Sequence, residues 1–354
     1  MQSGDRPVRS LETPTLLFLD CLVFSRMQVL LTNDDGPPDS STSPYIFSFY
    51  VHLTSLGWDV KVVLPSSQKS WIGKAFHITE ITKGRYFYPR APDGLTGETS
   101  ATSRPLKDGE VGEWILLDGT PATCANIGIH NLYPGIDLVI SGPNLGRNTS
   151  SAFALSSGTV GAALSASLSK TRSIAVSYGT VVHPTPKSYF EPAHLLAGRI
   201  IRYLWNNWGH DDGGLRAGEV DLYTVNIPMI EGLLADESLK IIWASMWRNS
   251  YGSLFRAVPS TTQGTAPHSA SAAGPDADAP SAEETPGADK GTLTFKFAPS
   301  MEGLIRPDES SLPVGSDGWA MFKGYVSVTP LRSSFAEPPQ DVKDISDRIW
   351  KMKL

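Results

Sequence analysis

The sequence predicts an α/β fold, a doubly wound and mostly parallel sheet with a β-rich C-terminal extension. Two observations carry the prediction. Short, nearly unbroken apolar runs recur along the 354 residues: QVLLT (28–32), DVKVVLP (59–65), EWILLDGT (113–120), DLVISG (137–142), SIAVSY (173–178) and DLYTVNIP (221–228). Strands apolar on both faces belong in a parallel sheet covered from both sides. Segments with helical periodicity lie between these runs, as crossover connections require.

Taken in order, QVLLT opens the fold as a buried strand. PYIFSFYVHLTSLG (44–57) follows, with Ile46, Phe49, Tyr50, Leu53 and Leu56 on one helical stripe and Gly57 placed to end it. Pro65 stops the second strand. The polar stretch from Thr82 to Glu110 reads as irregular. After the strand EWILLDGT, Thr120 is the expected N-cap and Pro121 the first residue of a helix reaching Tyr133. Further helices are expected at Thr159–Ser169 and Glu191–Trp208. SYGSLFRA (250–257) and TLTFKFAPS (292–300) read as β-rich, and GYVSVTPL (324–331) as the last clear strand.

The expected organisation has four parts. Residues 1–26 form an extension, expected to be disordered and dispensable. An apolar run within Thr13–Met27 is interrupted by Asp20, and the fold is expected to begin near Met27. Residues 27–257 form the core. Residues 258–291 are rich in Ala, Pro, Ser, Gly and Asp and hold too little apolar surface to offset the entropy of ordering, so disorder is expected. Residues 292–354 complete the domain with β structure and a terminal helix.

Composition narrows the function. A formal net charge of −6 argues against a general nucleic-acid surface. Two cysteines, Cys21 and Cys124, are too few for a disulfide scaffold or a structural zinc site and point to a reducing, cytoplasmic setting. No segment is long and apolar enough to suggest a membrane span.

Three polar segments fall at expected carboxyl ends of strands, where α/β sheets bind ligands. The first is NDDG (33–36). Side-by-side carboxylates raise each other's pKa unless a cation lies between them, and an oxygen-rich pair suits Mg²⁺, Mn²⁺ or Ca²⁺. Asp residues that merely fix a turn are the competing reading, and the pair alone leaves both open. The second is ISGPNLGRNTSS (140–151), in which Asn144 and Asn148 stand beside Gly142 and Gly146, followed by SSGTVGAAL (156–164). Ser157, Gly158 and Thr159 there lead into a helix whose free N–H groups suit an anion, with an ordinary cap as the alternative. The third is LPSSQKSWIGKAFHIT (64–79), which supplies Ser70, Lys74 and His77. The sequon Asn148-Thr149-Ser150 reads as accidental. Walker, GxGxxG, CxxC and GxSxG patterns are absent, and Asp276-Ala277-Asp278, which has DxD spacing, lies in the insert and not at a strand end, so phosphate chemistry would have to run through a carboxylate-bound metal.

VLLTNDDG, LPSSQKSWIG, DGTPATC, DLVISGPNLGRN, SSGTVGAAL and GYVSVTPL, in that order, closely resemble the SurE family of survival proteins, metal-dependent 5′/3′-nucleotidases. The resemblance runs from Met27 to Leu331, leaving out the 258–291 insert. It implies a Rossmann-like domain whose β-rich C-terminal part mediates a homodimer or tetramer. It also implies one divalent metal, Mg²⁺ or Mn²⁺, held by Asp34, Asp35, Ser70 and Asn144. Asn148, Ser157, Gly158 and Thr159 fall where the family surrounds the substrate phosphate, and Asn33, which opens NDDG, is counted with them. Asp34 or Asp35 would orient or deprotonate the attacking water. The expected activity is hydrolysis of small phosphomonoesters, nucleoside 5′/3′-monophosphates first, with wider acid-phosphatase activity as an extension. Stable nucleic-acid or membrane binding is not expected. A nucleotide- or metal-binding oligomeric module without turnover is the alternative. A sugar-nucleotide transferase is weaker for want of a DxD metal motif at a strand end. The extra PPDSSTSP after NDDG, the insert and the N-terminal extension depart from the family pattern without removing a proposed ligand.

Overall fold

The computed structural model describes residues 26–180, 184–235, 239–257, 293–299, 304, 307–337 and 352. Alternation along one strand explains its architecture. In β1 (Gln28–Thr32), Val29 and Leu31 join a large core cluster on one face of the sheet, while Leu30 joins a second cluster on the other. Successive strand side chains point to opposite faces, so an unbroken apolar run demands cover on both. α1 (Ile46–Ser55) and α5 (Phe190–Asn206) pack together over the first face. α2 (Pro121–Ile127) and α4 (Gly158–Leu168) pack together over the second.

Six strands form the parallel centre, in the order β5 (Trp114–Leu117), β2 (Asp59–Pro65), β1, β6 (Leu138–Leu145), β7 (Arg172–Thr180) and β8 (Leu222–Met229). Adjacent pairs among them are all parallel. From β1 the chain first winds outward through β2 to β5, then returns to β6 and winds the other way. The crevice between β1 and β6 is therefore the point where strand order reverses, the usual ligand site of such sheets.

Both edges carry structure that periodicity did not disclose. The stretch 82–110, read as irregular, contains β3 (Gly84–Pro89) and β4 (Gly97–Ser100), an antiparallel hairpin added beside β5. Its outer strand, GETS, has no large apolar residue, so nothing in its sequence marks it. Charged groups secure the hairpin. Arg104 donates two hydrogen bonds to Glu110, at 2.7 and 2.8 Å, and stacks over the Tyr88 ring at 3.7 Å. At the opposite edge, β12 (Val326–Leu331) pairs antiparallel to β8 and parallel to β9 (Ile241–Trp243). GYVSVTPL thus belongs to the central sheet.

β10 (Phe255–Ala257) and β11 (Phe295–Phe297) form a separate antiparallel pair. A short α3 (Ser150–Ser156), missed in the sequence, precedes α4, and α6 (Asp317–Phe322) leads toward β12. The helix expected to reach Tyr133 gives way after Ile127 to one wider turn at Gly128–Leu132. The 258–291 insert, the terminal helix and residues 1–25 of the extension lie outside the described residues. Among those described, no single helix is long and apolar enough to cross a membrane.

Thr120 caps α2 as expected, accepting from the Thr123 N–H at 3.1 Å. Its hydroxyl also donates to the Ala75 carbonyl at 2.6 Å, tying the loop after β2 to the start of α2. Thr120→Ala is therefore expected to destabilise the fold by about 1–2 kcal/mol, with Thr120→Ser recovering most of the loss. Urea denaturation measures this, and an unchanged midpoint would contradict the assigned cap.

Candidate active site

β1 ends in a turn that the Asn33 side chain closes. Its Nδ2 donates to the Gly36 carbonyl at 3.0 Å, and its Oδ1 accepts from the Gly36 N–H at 3.0 Å. Asn33 is fully buried, with both ends of its amide occupied. The sequence placed it beside a phosphate. The structure places it in the scaffold, because a sharp turn needs local side-chain hydrogen bonds.

The turn sends Asp34 and Asp35 to different partners. Asp34 faces the start of α4, where Thr159 Oγ1 donates to its Oδ1 at 2.6 Å and backbone groups of Gly158 and Thr159 add support. Asp35 accepts from the Tyr45 hydroxyl, from the Leu145 N–H at 3.4 Å and from Gln68 Nε2 at 3.5 Å. Both carboxylates are only 4% exposed. Burial pushes both pKa values above the usual carboxylate range, and the charge of Asp34 raises Asp35 further. The groups holding them are a hydroxyl, a phenol, an amide and backbone, all neutral. Burial and the two nearby carboxylates push the Tyr45 phenol well up, so it stays a donor.

Two more segments close on this pair. Lys69 N–H donates to the Asp34 carbonyl at 2.7 Å, which fastens the loop after β2 and brings Ser70 alongside. On the other side, the β6–β7 register shifts between Ser141 and Asn144, and pairing resumes with Asn144 opposite Ser177 at the end of β6. Asn144 Nδ2 donates to the Gly146 carbonyl at 3.0 Å, which orients the side chain and leaves Oδ1 out of that bond.

Asp34, Ser70 and Asn144, from the carboxyl ends of three adjacent strands, line one recess with Asn148 and Ser157. Trp71, Phe153 and Ser156 complete its wall. Open space within it, mouth included, is about 260 Å³. Asp35 stands behind its neighbour, beside Tyr45. Thr159 is fully buried and supports Asp34 from beneath. Gly158 is there for clearance: a Cβ would lie 2.8 Å from Asp34 Cβ and 3.0 Å from its Oδ2. The α4 N-terminus, read from sequence as an anion cradle, is thus directed first at the chain's own carboxylate. Lys74 sits over the Phe76 ring at 4.6 Å, and exposed His77 pairs with Glu80 at 3.3 Å, so both belong to the outer loop.

Sequence reasoning missed several supports. Asn148 is anchored through its N–H to Asn226 Oδ1 and through Nδ2 to Ser177 Oγ, both at 2.8 Å. Asn226 and Ser177 sit inside apolar runs, where a buried polar residue is itself a signal, since it needs a partner. Tyr45 precedes the helical stripe that begins at Ile46, so periodicity assigns it no role. Trp71 directly follows Ser70 and adopts φ +61°, an uncommon conformation for a bulky residue, costing about 1–3 kcal/mol.

A doubly wound sheet with an acidic, oxygen-lined recess at its switch point defines a class of small-ligand α/β proteins. Within that class, the family model described as survival protein SurE matches residues 29–253, and the chain belongs to this family. It is 32% identical over 354 residues to the probable tubulin–tyrosine ligase PBY1 of Saccharomyces cerevisiae, covering 93% of this chain and 43% of that protein. It is 32% identical over 196 residues to the 5′-nucleotidase SurE of Pelobacter propionicus, covering 55% of this chain and 66% of that one. The 5′-nucleotidase SurE of Archaeoglobus fulgidus is 32% identical over 211 residues, with 57% and 67% covered. The chain therefore spans less than half of the yeast relative and about two thirds of the two prokaryotic ones. The crystal structure of the SurE protein from Aquifex aeolicus superposes with a TM-score of 0.54 at 23% identity, over 87% of this chain and 94% of that one, a likeness of fold.

The close approach at Gly158 is testable by sign. An Ala in place of Gly within a helix usually stabilises by about 0.5–1 kcal/mol. Gly158→Ala is instead expected to destabilise by about 1–3 kcal/mol, because the methyl must displace Asp34. A variant that melts higher than the wild type in calorimetry would refute this packing.

Proposed function

We propose that the chain is a phosphomonoesterase that hydrolyses nucleoside 5′- and 3′-monophosphates with one divalent cation, Mg²⁺ or Mn²⁺. The supporting observation is the recess in which Asp34, Ser70 and Asn144 meet Asn148 and Ser157 at the β1/β6 switch point. Likeness to two proteins named 5′-nucleotidase SurE supports a nucleotide as substrate.

The donor set fits a hard cation. Asp34 and Asp35 are buried side by side with neutral partners, so added positive charge would relieve their mutual repulsion. Ser70 and Asn144 would add oxygens without charge, as hard divalent ions prefer. Among the described residues no group of three or more His, Cys, Asp or Glu forms a richer alternative. When bound, the cation would supply a Lewis acid for the phosphoryl group and would lower the pKa of a bound water.

The chain's residues would do the rest. Asn148 and Ser157 would contact the phosphate oxygens, with the Asn148 amide held in place by Ser177. Asp34, which borders the recess while Asp35 stands behind, would orient the water and accept its proton. The water oxygen would bond to phosphorus as the ester P–O bond breaks, and the nucleoside leaves as an alcohol after taking up a proton. Thr159 and Tyr45 would keep the two carboxylates from turning toward each other. Homo-oligomerisation belongs to this reading, supported by exposed Phe255, Phe295 and Phe297 on the β10–β11 pair.

Phosphate release from 5′- and 3′-mononucleotides is expected with Mg²⁺ or Mn²⁺ and is expected to vanish with EDTA. Asp34→Asn should lower kcat/KM by about a hundredfold or more, a loss of several kcal/mol in the transition state. Activity indifferent to both would end the proposal. Tight nucleotide binding with no release would instead favour a non-catalytic binding module.

Tyr45→Phe should leave the ring packing intact while weakening Mn²⁺ binding about 10- to 100-fold. The concentration of Mn²⁺ giving half the maximal thermal shift reads this directly. An unchanged midpoint would remove Tyr45 from the set that positions Asp35.

A further inference from the structure

The recess holds two kinds of residue, and the phosphate chemistry uses only the polar ones. Trp71 and Phe153 line the same space as Asp34 and Ser70 and touch none of the reacting groups in the proposed reaction. Their rings meet at a centroid distance of 6.0 Å and an angle of 65°. Tyr251 lies 6.4 Å from Trp71 at 66°, and Phe297, on β11, lies 5.2 Å away at 62°. No described ring lies flat on the indole, and Trp71 remains partly exposed.

The backbone adds an independent observation. Trp71 holds φ +61°, where glycine would be at ease and a bulky side chain is strained. Strain of this kind persists where surrounding structure enforces it, and it clusters at binding sites. Here its effect is that consecutive residues, Ser70 and Trp71, both border one recess. A hydroxyl on the phosphate side and an aromatic surface therefore stand one residue apart.

We infer that Trp71, backed by Phe153, is the platform on which the nucleobase of the substrate stacks. The inference rests on the phosphomonoesterase reading for the placement of phosphate beside Asp34, and it adds the substrate's second point of attachment. Every nucleobase has a π-face, so such a platform favours nucleotides over plain sugar phosphates with little preference among bases. Tyr251 and Phe297 reach the platform from the C-terminal half of the chain. That half would then border the base while the α/β core holds the phosphate.

The test compares adenosine 5′-monophosphate with ribose 5-phosphate, the same phosphomonoester without a base, on the full chain. The Trp71→Ala variant should lose about 5- to 150-fold in kcat/KM for the nucleotide, chiefly through KM, and stay within about twofold for ribose 5-phosphate. Trp71→Phe should restore most of the loss. Trp71→Gly removes the ring at a φ that glycine adopts freely and should match Trp71→Ala, which separates the ring from the backbone. Equal losses on both substrates would reduce Trp71 to a packing residue and overturn the platform, as would no loss on the nucleotide.

Calorimetric binding of the same two compounds covers the case without turnover. Base-dependent binding that Trp71→Ala abolishes would uphold the platform and refute hydrolysis. Hydrolysis of both compounds with equal efficiency by the wild type would uphold the phosphomonoesterase and refute the platform. Failure to bind or hydrolyse either would refute both.

Discussion

Two neighbouring carboxylates, buried with neutral partners, are the constraint on which the rest of the structure depends. Asp34 and Asp35 repel each other in a setting that penalises even a single charge. Unless they are anchored, such side chains would turn outward to water. Each is instead gripped from a separate element, Asp34 by Thr159 at the start of α4 and Asp35 by Tyr45 ahead of α1. The Leu145 N–H at the end of β6 donates both to Asp35, at 3.4 Å, and to the Tyr45 hydroxyl, at 3.2 Å. The acidic pair thereby joins the two sides of the switch point.

Such gripping requires close approach, which accounts for the composition of α4. Its sequence, GTVGAALSASL, is dominated by small residues. A Cβ at Gly161 would fall 2.4 Å from the Gly73 carbonyl, so the helix runs directly against the loop that carries Ser70 and Trp71. Gly73 N–H in turn donates to the Ser156 carbonyl at 2.9 Å. Larger residues here would push loop and helix apart and open the recess. Asp317 plays a comparable part at the C-terminal side. It is fully buried and accepts from the Ser150 and Trp247 N–H groups at 2.8 and 2.9 Å, which pins the start of α3 to the chain after β9.

Much of the fold was legible because burial on two faces leaves an unbroken apolar signature. Every central strand showed it, and Thr120-Pro121 marked a helix start by local hydrogen bonding alone. What stayed hidden was held by other forces. The β3–β4 hairpin relies on edge pairing and on Arg104 with Glu110, neither of which leaves a periodic apolar trace. β12 displayed its apolar run, yet its place between β8 and β9 depends on pairing across about a hundred residues, beyond any local pattern. In the site, Asp34, Ser70, Asn144, Asn148 and Ser157 were named from their segments and do meet in one recess. Asn33, Gly158 and Thr159 belonged to the same segments but serve the scaffold.

The sequence by itself determined which segments become buried strands, where their loops gather and which oxygen-bearing residues those loops carry, because apolar periodicity and turn chemistry act over a few neighbouring positions. Only the tertiary structure decided which of those residues face the recess and which hold them in place. It turned Thr159 inward to Asp34, brought Tyr45 from a helix start to Asp35, and set Trp71 and Phe153 beside the polar groups. Those choices depend on hydrogen bonds and clearances between residues as many as 125 positions apart, for which adjacent sequence offers no rule.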